Sequence, residues 1–178
     1  KYAILGNHDI SDYVKGDTMR PPEVNRALLR RFYHETGFLL MEDTAVSLSR
    51  GADSLILAGV DNWGLPPFRQ DGDLERALSF FPGQPTLLLS HDPSHWDAEV
   101  LRNGNVFLTL SGHTHGMQMG IRTRWLQWSP SVYVYPRWGG LFEEQGRFLY
   151  VNAGFGFIGF PGRIGIPPEI TLITLKRG

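Results

Sequence analysis

Three short polar clusters, each directly after an apolar run, constrain this chain more than any other feature. They are Asn7-His8-Asp9, His91-Asp92 and His113-Thr114-His115. The apolar runs before them are typical of short, buried β-strands. In open α/β sheets, ligands bind beside the carboxyl ends of the strands. The sequence therefore predicts that the three clusters meet at one edge of a sheet.

The remaining pattern predicts one unit that mixes strands and helices. One amphipathic helix is expected to start at Pro21-Pro22 and to end near Gly37, after a polar loop. A second is expected over residues 74–81 and a short third over 97–102. Gly6 to Asp9 are expected to turn, and residues 153–168, rich in Gly, Pro and Phe, to form an ordered loop. Strands are predicted at residues 1–5, 38–41, 44–49, 54–60, 85–90, 106–110, 132–135, 148–152 and 170–175.

Composition excludes several classes of function. The 178 residues include no cysteine, so disulfides, thiolate metal ligands and cysteine nucleophiles are absent. The net charge of −1 argues against a large nucleic-acid footprint or a polybasic membrane patch. No apolar run approaches the roughly 18 residues expected of a membrane span. The chain begins inside an apolar run, so we expect it to be the C-terminal part of something longer.

The residue types in the three clusters point to a metal site. Imidazole nitrogen binds zinc, iron, nickel and copper, and manganese accepts it together with oxygen donors. Donors of mixed nitrogen and oxygen type, without sulfur, favour a hydrolytic metal site over a structural zinc site. The spacing of His113 and His115 allows them to bind one ion or two adjacent ions.

These clusters resemble a known family. Gly6-Asn7-His8-Asp9, Ser90-His91-Asp92 and the run from Ser111 to Gly116 are similar to the last three signature blocks of the calcineurin-like metallophosphoesterases, and the resemblance extends over residues 2–175. It implies an α+β fold, the four-layer α/β/β/α sandwich, here lacking its N-terminal strands. Residues 1–178 would be the C-terminal portion of a single phosphoesterase domain.

The resemblance also implies an activity and a role for each matched residue. A hydroxide activated by two metal ions would hydrolyse a phosphomonoester, a phosphodiester or a pyrophosphate. Asn7, His91 and His113 would bind one divalent ion, which could be Mn, Fe, Zn or Ni, and His115 would bind the other. His8 would contact the scissile phosphate and protonate the leaving oxygen, and Asp9 would orient His8. The implied partner is a phosphoester substrate, and no nucleic acid is expected.

The chain also departs from the family pattern. Two upstream blocks, an Asp-x-His and a Gly-Asp that supply the remaining ligands, are absent, and Met117 stands where relatives commonly carry Gly. The first alternative is therefore a catalytically incomplete fragment that binds at most one metal and self-associates through an exposed sheet edge. The second is a metal-binding or nucleic-acid-binding module without hydrolysis, and the balanced charge disfavours nucleic acid as its ligand. The sequence leaves the location open: cytoplasmic, or at a membrane if the absent N-terminus carries an anchor.

Other polar and aromatic residues carry a plainer expectation. Asp92 is expected to form a turn before Pro93, Asp61-Asn62 a loop, and His34 to face solvent, while His95 is not assigned to the site. Four arginines are expected to be solvated charges: Arg122, Arg124, Arg137 and Arg163. The aromatic residues of the C-terminal region are expected to pack in or over the core, with a lipid-facing or partner-facing patch as the alternative. They are Trp125, Trp128, Trp138, Phe155, Phe157 and Phe160.

Overall fold

Ten short strands and four helices form the described part of the chain. The computed structural model describes residues 1–10 and 22–176, so the predicted polar loop and Pro21 lie outside the described residues. The helices are α1 (Asn7–Ile10), α2 (Pro22–Glu35), α3 (Leu74–Ser79) and α4 (Ser94–Ala98). The strands are β1 (Tyr2–Ala3), β2 (Leu39–Leu40), β3 (Thr44–Arg50), β4 (Asp53–Gly59), β5 (Thr86–Leu89), β6 (Val106–Ser111), β7 (Ile121–Arg122), β8 (Gln127–Trp128), β9 (Gly140–Glu144) and β10 (Arg147–Val151).

Six of the strands form one mixed sheet in the order β3-β4-β5-β6-β10-β9. The four central strands β4, β5, β6 and β10 run parallel, and β3 and β9 pair antiparallel at the two edges. β1 and β2 form a separate parallel pair, and β7 and β8 a short hairpin. The carboxyl ends of the parallel strands therefore lie along one edge, which is where ligands bind in such sheets.

One face of the six-stranded sheet, which we call the closed face, is covered by α3 and α4. Leu88, Leu149 and Trp96 are representative of its core and are at most 1% exposed. Asp73 caps the start of α3 because its side chain accepts a hydrogen bond from Arg76 N at 2.8 Å. Successive side chains of a strand point to opposite faces of the sheet. The apolar residues of α3 and α4 therefore bury every second strand side chain, those that point to the closed face.

The opposite face, which we call the open face, is only partly covered. Its buried members are Met41, Leu57, Leu87 and Leu108, whereas Leu48, Leu55 and Phe107 are among those that stay partly exposed. Ile4 and Met41, which follow β1 and β2, pack against this face. The β1-β2 pair therefore covers part of the open face.

The structure confirms a mixed fold and most of the predicted elements. The helix from Pro22 ends at Glu35, two residues before Gly37, and the expected turn at residues 6–9 becomes the single-turn helix α1. Residues 153–168 form a loop as predicted. The short helix predicted at 97–102 starts earlier, as α4, and continues as the 3₁₀ turn Val100–Arg102.

Two predicted strands are wrong. Residues 132–135 overlap a 3₁₀ turn, Pro130–Tyr133, because Pro130 stands at a favourable helix start and Ser129 Oγ accepts from Ser131 N at 3.1 Å. Residues 170–175 have the apolar alternation of a strand, but no strand of the described residues pairs with them. β7, β8 and β9 were not predicted, since short strands at edges and in hairpins carry little periodicity.

Candidate metal centre

The three polar clusters meet at the carboxyl edge of the sheet. Asn7 begins α1, His91 lies two residues after β5, and His113 two residues after β6. Asn7 Oδ1 is 2.8 Å from His91 Nε2 and 3.0 Å from His113 Nδ1. The two ring nitrogens, His91 Nε2 and His113 Nδ1, are 3.2 Å apart. The juxtaposition predicted from the sequence is confirmed for these three residues.

Backbone contacts fix the segments that carry the donors. Ser90 N donates to Leu110 O at 3.1 Å, and Gly112 N donates to His91 O at 2.9 Å. A side chain at Gly6 would place its Cβ 2.7 Å from the His91 ring, so only glycine lets the turn after β1 approach that closely. Asn7 reaches the two histidines because of this close approach.

The His113-Thr114-His115 segment has an unusual backbone. His113 and His115 both have positive φ, 64° and 50°, which non-glycine residues rarely adopt. Thr114 is buried and donates to Trp138 O at 2.6 Å, which holds the segment from below. Such strain persists only where surrounding contacts determine it, and it is concentrated at functional sites.

Asp92 and Tyr135 contact His113 on its other side. His113 Nε2 lies 2.7 Å from Tyr135 Oη and 3.4 Å from Asp92 Oδ2. Asp92 Oδ1 accepts from Ser94 N at 2.8 Å, which confirms the turn predicted there. Asp92 Oδ2 is buried without a hydrogen-bond partner. A carboxylate beside Nε2 favours the proton on that nitrogen, which leaves the Nδ1 lone pair directed at Asn7 and His91.

The electrostatics keep the histidines neutral. Burial, together with like-charge repulsion from the neighbouring His113, His115 and His8, lowers the pKa of His91 to about 3. Burial also lowers the pKa of His113 and of His115 below the ordinary value. Neutral imidazole is the form that binds metal ions, so these side chains are ready ligands at neutral pH.

His115 lies beside Arg163 rather than among the three donors. Arg163 Nη2 is 3.5 Å from His115 Nδ1 and donates to Ala153 O at 2.9 Å. Gly154, with φ of +82°, lies under the ring, where a Cβ would be 3.1 Å from His115 Nδ1.

The expectation that Arg163 is a solvated charge is wrong. Its Nη1 is buried without a hydrogen-bond partner, and its Nε donates to Gly156 O at 2.9 Å. No local pattern indicates this placement, because the contact spans 48 positions of the chain.

His8 and Asp9 follow Asn7 on α1. His8 is exposed, and its charge would repel His91, His113 and His115, which places it near them. Asp9 Oδ2 accepts from Gly6 N at 2.8 Å and closes the turn. Its predicted orientation of His8 stays a prediction.

His95 is buried beneath the cluster. His95 Nδ1 is 2.8 Å from Ser90 Oγ, and His95 Nε2 is 3.2 Å from Glu99 Oε2. Trp63 stacks on His95, with ring centroids 5.1 Å apart, and donates to Glu99 Oε1 at 3.0 Å. This network holds α4 against the start of the His91 segment, and the fully buried His95 has no path to a substrate.

The other polar residues are mostly paired. Arg122 bonds Glu169, and Arg137 bonds Asp97 and Glu144 and stacks on Trp96, so their predicted solvation is wrong. Arg124 is exposed, as expected, and lies over the Trp125 ring. His34 is exposed, which confirms its prediction. Asp61 and Asn62 lie in a loop, as predicted, but are buried, and Asp61 is paired with Arg26.

The aromatic residues of the C-terminal region divide into two groups. Trp138 is buried, as expected of core packing. The expectation of core packing is wrong for the other five, which are between 40% and 85% exposed: Trp125, Trp128, Phe155, Phe157 and Phe160.

The three-donor cluster fits one divalent cation. Donors at right angles with bonds of about 2.1 Å are separated by about 3.0 Å, and the observed separations are 2.8–3.2 Å. The described residues contain no group of three or more His, Asp, Glu or Cys side chains that could hold a metal, and the third donor of this cluster is the amide of Asn7. Three donors leave part of the coordination shell to other ligands.

The chain is similar to metallophosphoesterases from animals and bacteria. A "Transmembrane protein with metallophosphoesterase domain" from Bos taurus is 33% identical to it over 130 residues. The matched region covers 70% of this chain and 28% of the relative. The chain is 29% identical over 182 residues to an "Uncharacterized metallophosphoesterase" from Aquifex aeolicus, covering 99% of this chain and 60% of the relative. A "UDP-2,3-diacylglucosamine pyrophosphatase LpxG" from Chlamydia trachomatis is 25% identical over 221 residues, 97% of this chain and 63% of the relative.

The chain spans less than two thirds of the length of each of these relatives. No family model and no solved structure matches the chain. In the part of the chain that the structure describes, no helix has the length and apolarity needed to cross a membrane. With the identity and coverage of the relatives, the chain belongs to the calcineurin-like metallophosphoesterases.

Proposed function

We propose that this chain is part of a phosphoesterase domain that hydrolyses its substrate with two divalent metal ions. Asn7, His91 and His113 hold one ion, and His115 binds the other. The observation that carries this proposal is the convergence of Asn7 Oδ1, His91 Nε2 and His113 Nδ1 within 3.2 Å of one another. When bound, the ions supply the positive charge that polarises a phosphoryl group and lowers the pKa of an attacking water.

The chain's own residues do the remaining work. Asp92 and Tyr135 fix the His113 ring so that Nδ1 presents its lone pair to the cluster. His8, exposed at the start of α1, donates a proton to the oxygen of the leaving group. Asp9 holds the turn that carries His8 through its hydrogen bond with Gly6 N.

Further chain completes the domain. The open face is half covered, which suits a second sheet packed on it in the four-layer sandwich. Upstream Asp-x-His and Gly-Asp segments supply carboxylates for the coordination positions that Asn7, His91 and His113 leave open. Relatives of which this chain spans 60% or less support this reading.

The substrate is a phosphomonoester, a phosphodiester or a pyrophosphate. The name of the chlamydial relative favours a pyrophosphate bond, because that protein is a UDP-2,3-diacylglucosamine pyrophosphatase. The balanced charge gives no support to a nucleic-acid substrate. The metals are Mn, Fe, Zn or Ni, all of which accept this donor set.

His113→Ala in the complete protein tests the metal centre, with the exposed His34→Ala as the matched control. We expect His113→Ala to lose at least one ion per chain by elemental analysis. Manganese-dependent hydrolysis of bis(p-nitrophenyl) phosphate should fall by about a hundredfold or more. His34→Ala should retain both. Full metal content and activity in His113→Ala would refute the proposed centre.

His8→Asn tests the role in proton transfer. A p-nitrophenolate leaving group needs little protonation, whereas an alkoxide leaving group needs a proton. We therefore expect His8→Asn to keep its metal ions and to lose much more activity towards an alkyl phosphoester than towards a p-nitrophenyl ester. Equal losses for the two substrates would show that His8 is not the acid.

The alternative is a fragment that binds at most one metal and self-associates. It predicts that the isolated chain has a light-scattering mass above 20.1 kDa that rises with concentration. It also predicts one ion or none per chain after loading with manganese. Two ions and a constant monomer mass would exclude it.

A further inference from the structure

An exposed apolar surface borders the metal centre. We call it the apolar platform and define it as residues 119–128 and 155–164. Its most prominent side chains are Trp125, Phe155, Phe157 and Ile164, which are 85%, 72%, 65% and 58% exposed. Clustered exposed aromatic and aliphatic side chains mark interaction sites, whereas single ones do not.

Ordered contacts join the two segments of the platform. Met119 and Ile164 form a bridge, and Gly120 N donates to Ile164 O at 2.8 Å. Gln118, 1% exposed, donates through Nε2 to Phe160 O at 3.0 Å and to Gly162 O at 2.6 Å. The exposed side chains are therefore presented by a hydrogen-bonded framework.

The platform lies next to the candidate site. The 3₁₀ turn His115–Gln118 leads directly into it. Arg163, within the platform, is 3.5 Å from His115 Nδ1. Whatever binds the platform beside Arg163 therefore comes close to His115.

The charge of the platform selects its partner. Residues 119–128 and 155–164 contain no Asp or Glu, and their charged residues are three arginines, of which Arg122 is paired with Glu169 outside the platform. Arg124 is exposed and lies over Trp125, with its guanidinium 5.0 Å from the ring centroid. Tryptophan beside arginine, with phenylalanines and no acids, is the composition of surfaces that lie in the headgroup region of anionic bilayers.

We propose that the apolar platform binds an anionic membrane surface, with Trp125, Phe155 and Phe157 inserted among the headgroups. Relying on the proposed function, the centre at His115 then faces a phosphoester carried by a lipid. The binding step depends on the platform alone and holds whether or not the site is active. A soluble protein partner would give no reason for the absence of acidic residues over both segments.

Quenching of tryptophan fluorescence by brominated lipids tests insertion directly. The complete protein is mixed with vesicles of about three parts brominated phosphatidylcholine to one part phosphatidylglycerol. We expect strong quenching, most of which is lost in Trp125→Phe. The other tryptophans, Trp128 among them, are still present in Trp125→Phe, so the quenching that this variant loses belongs to Trp125. Equal quenching of the wild-type protein and Trp125→Phe would overturn the proposal.

Vesicle flotation supplies a second readout. Phe155→Ser/Phe157→Ser should lower binding by about tenfold or more, whereas the matched control Phe32→Ser/Phe80→Ser, two exposed rings off the platform, should not. Arg124→Gln should weaken binding to anionic vesicles by about fivefold and leave neutral vesicles unaffected. Equal binding by both double variants would contradict the proposal, as would a platform covered by another part of the protein.

Hydrolysis of a soluble aryl phosphodiester separates the two proposals. The platform variants should retain it, because they leave Asn7, His91 and His113 intact. Quenching without any hydrolysis in the wild-type protein would reject the proposed function and leave the membrane surface standing. Hydrolysis without quenching would reject the membrane surface and leave the proposed function standing.

Discussion

The two faces of the six-stranded sheet are built differently. Among the described residues, the closed face has thirteen buried apolar residues and three partly buried ones. The open face has four buried and eight partly buried. The same strands supply both faces, so the difference comes from what covers them. The closed face is finished by α3 and α4, whereas the open face receives mainly Ile4 and Met41.

The proposed metal centre lies where these two faces end. His91 and His113 extend from strands of the sheet, and the His95 network ties the His91 segment to α4 on the closed face. Asn7 comes from the turn after β1, on the side of the open face. The side chains of the proposed centre therefore come from both sides of the sheet, and those of the His91 segment have the more complete support.

The largest effect should come from truncating the closed face. Leu88→Ala removes a fully buried side chain and should lower the free energy of unfolding by about 2–5 kcal/mol. Leu55→Ala, the matched change on the partly exposed open face, should cost about 1 kcal/mol in this chain. Urea unfolding of both variants measures the difference.

The same pair tests what covers the open face. In the complete protein, a second sheet packed on Leu55 should raise the cost of Leu55→Ala towards that of Leu88→Ala. If Leu55→Ala costs about 1 kcal/mol in both proteins, the open face stays open and the proposed sandwich is refuted.

A smaller effect should come from the network beneath the centre. His95→Leu keeps most of the volume but removes the hydrogen-bond partner of Ser90 Oγ and of Glu99 Oε2, so it should lower the free energy of unfolding by about 1–3 kcal/mol. His34→Leu, on the exposed surface of α2, should change it by less than about 0.5 kcal/mol. Metal affinity should also fall in His95→Leu, because the His91 segment loses its support. Unchanged metal affinity would show that the closed face does not position the centre.

The smallest effect concerns Glu169, which links Arg122 to Tyr150 on β10. Burial alone would raise the pKa of Glu169, but hydrogen bonds from Arg122 and Tyr150 outweigh it and lower the pKa. A carboxyl whose pKa is lowered in the folded state stabilises it above the unfolded pKa of about 4.3, and that stability is lost as the pH falls through the folded pKa.

Glu169→Gln should therefore reduce the loss of stability on acidification. The difference should be below about 1 kcal/mol, because the carboxylate is partly exposed. Urea unfolding at about pH 6 and about pH 3 measures it. An identical acid response in Glu169→Gln and the wild-type protein would show that this carboxylate does not link β10 to the β7 hairpin.

Much of the fold and part of the site followed from local patterns. The parallel strands β4, β5 and β6 were predicted because each is a continuous apolar run bounded by polar residues. The pairing of Asn7 with His91 and His113 followed from their positions after strands. The unpaired segment 170–175 has the pattern of a strand and failed as one, since a strand also needs a neighbour for its backbone hydrogen bonds.

The sequence by itself determined the types of side chain offered to a metal ion, the order along the chain of the strands that precede them, and the metallophosphoesterase signature. Only the tertiary structure determined which side chains contact and support the proposed metal ligands. Tyr135 against His113, Arg163 against His115 and His95 beneath Ser90 were not apparent from the sequence. The physical reason is that hydrophobic periodicity indicates only which face of a single helix or strand is buried. A hydrogen bond between residues 22 or 48 positions apart depends instead on how separate elements pack together.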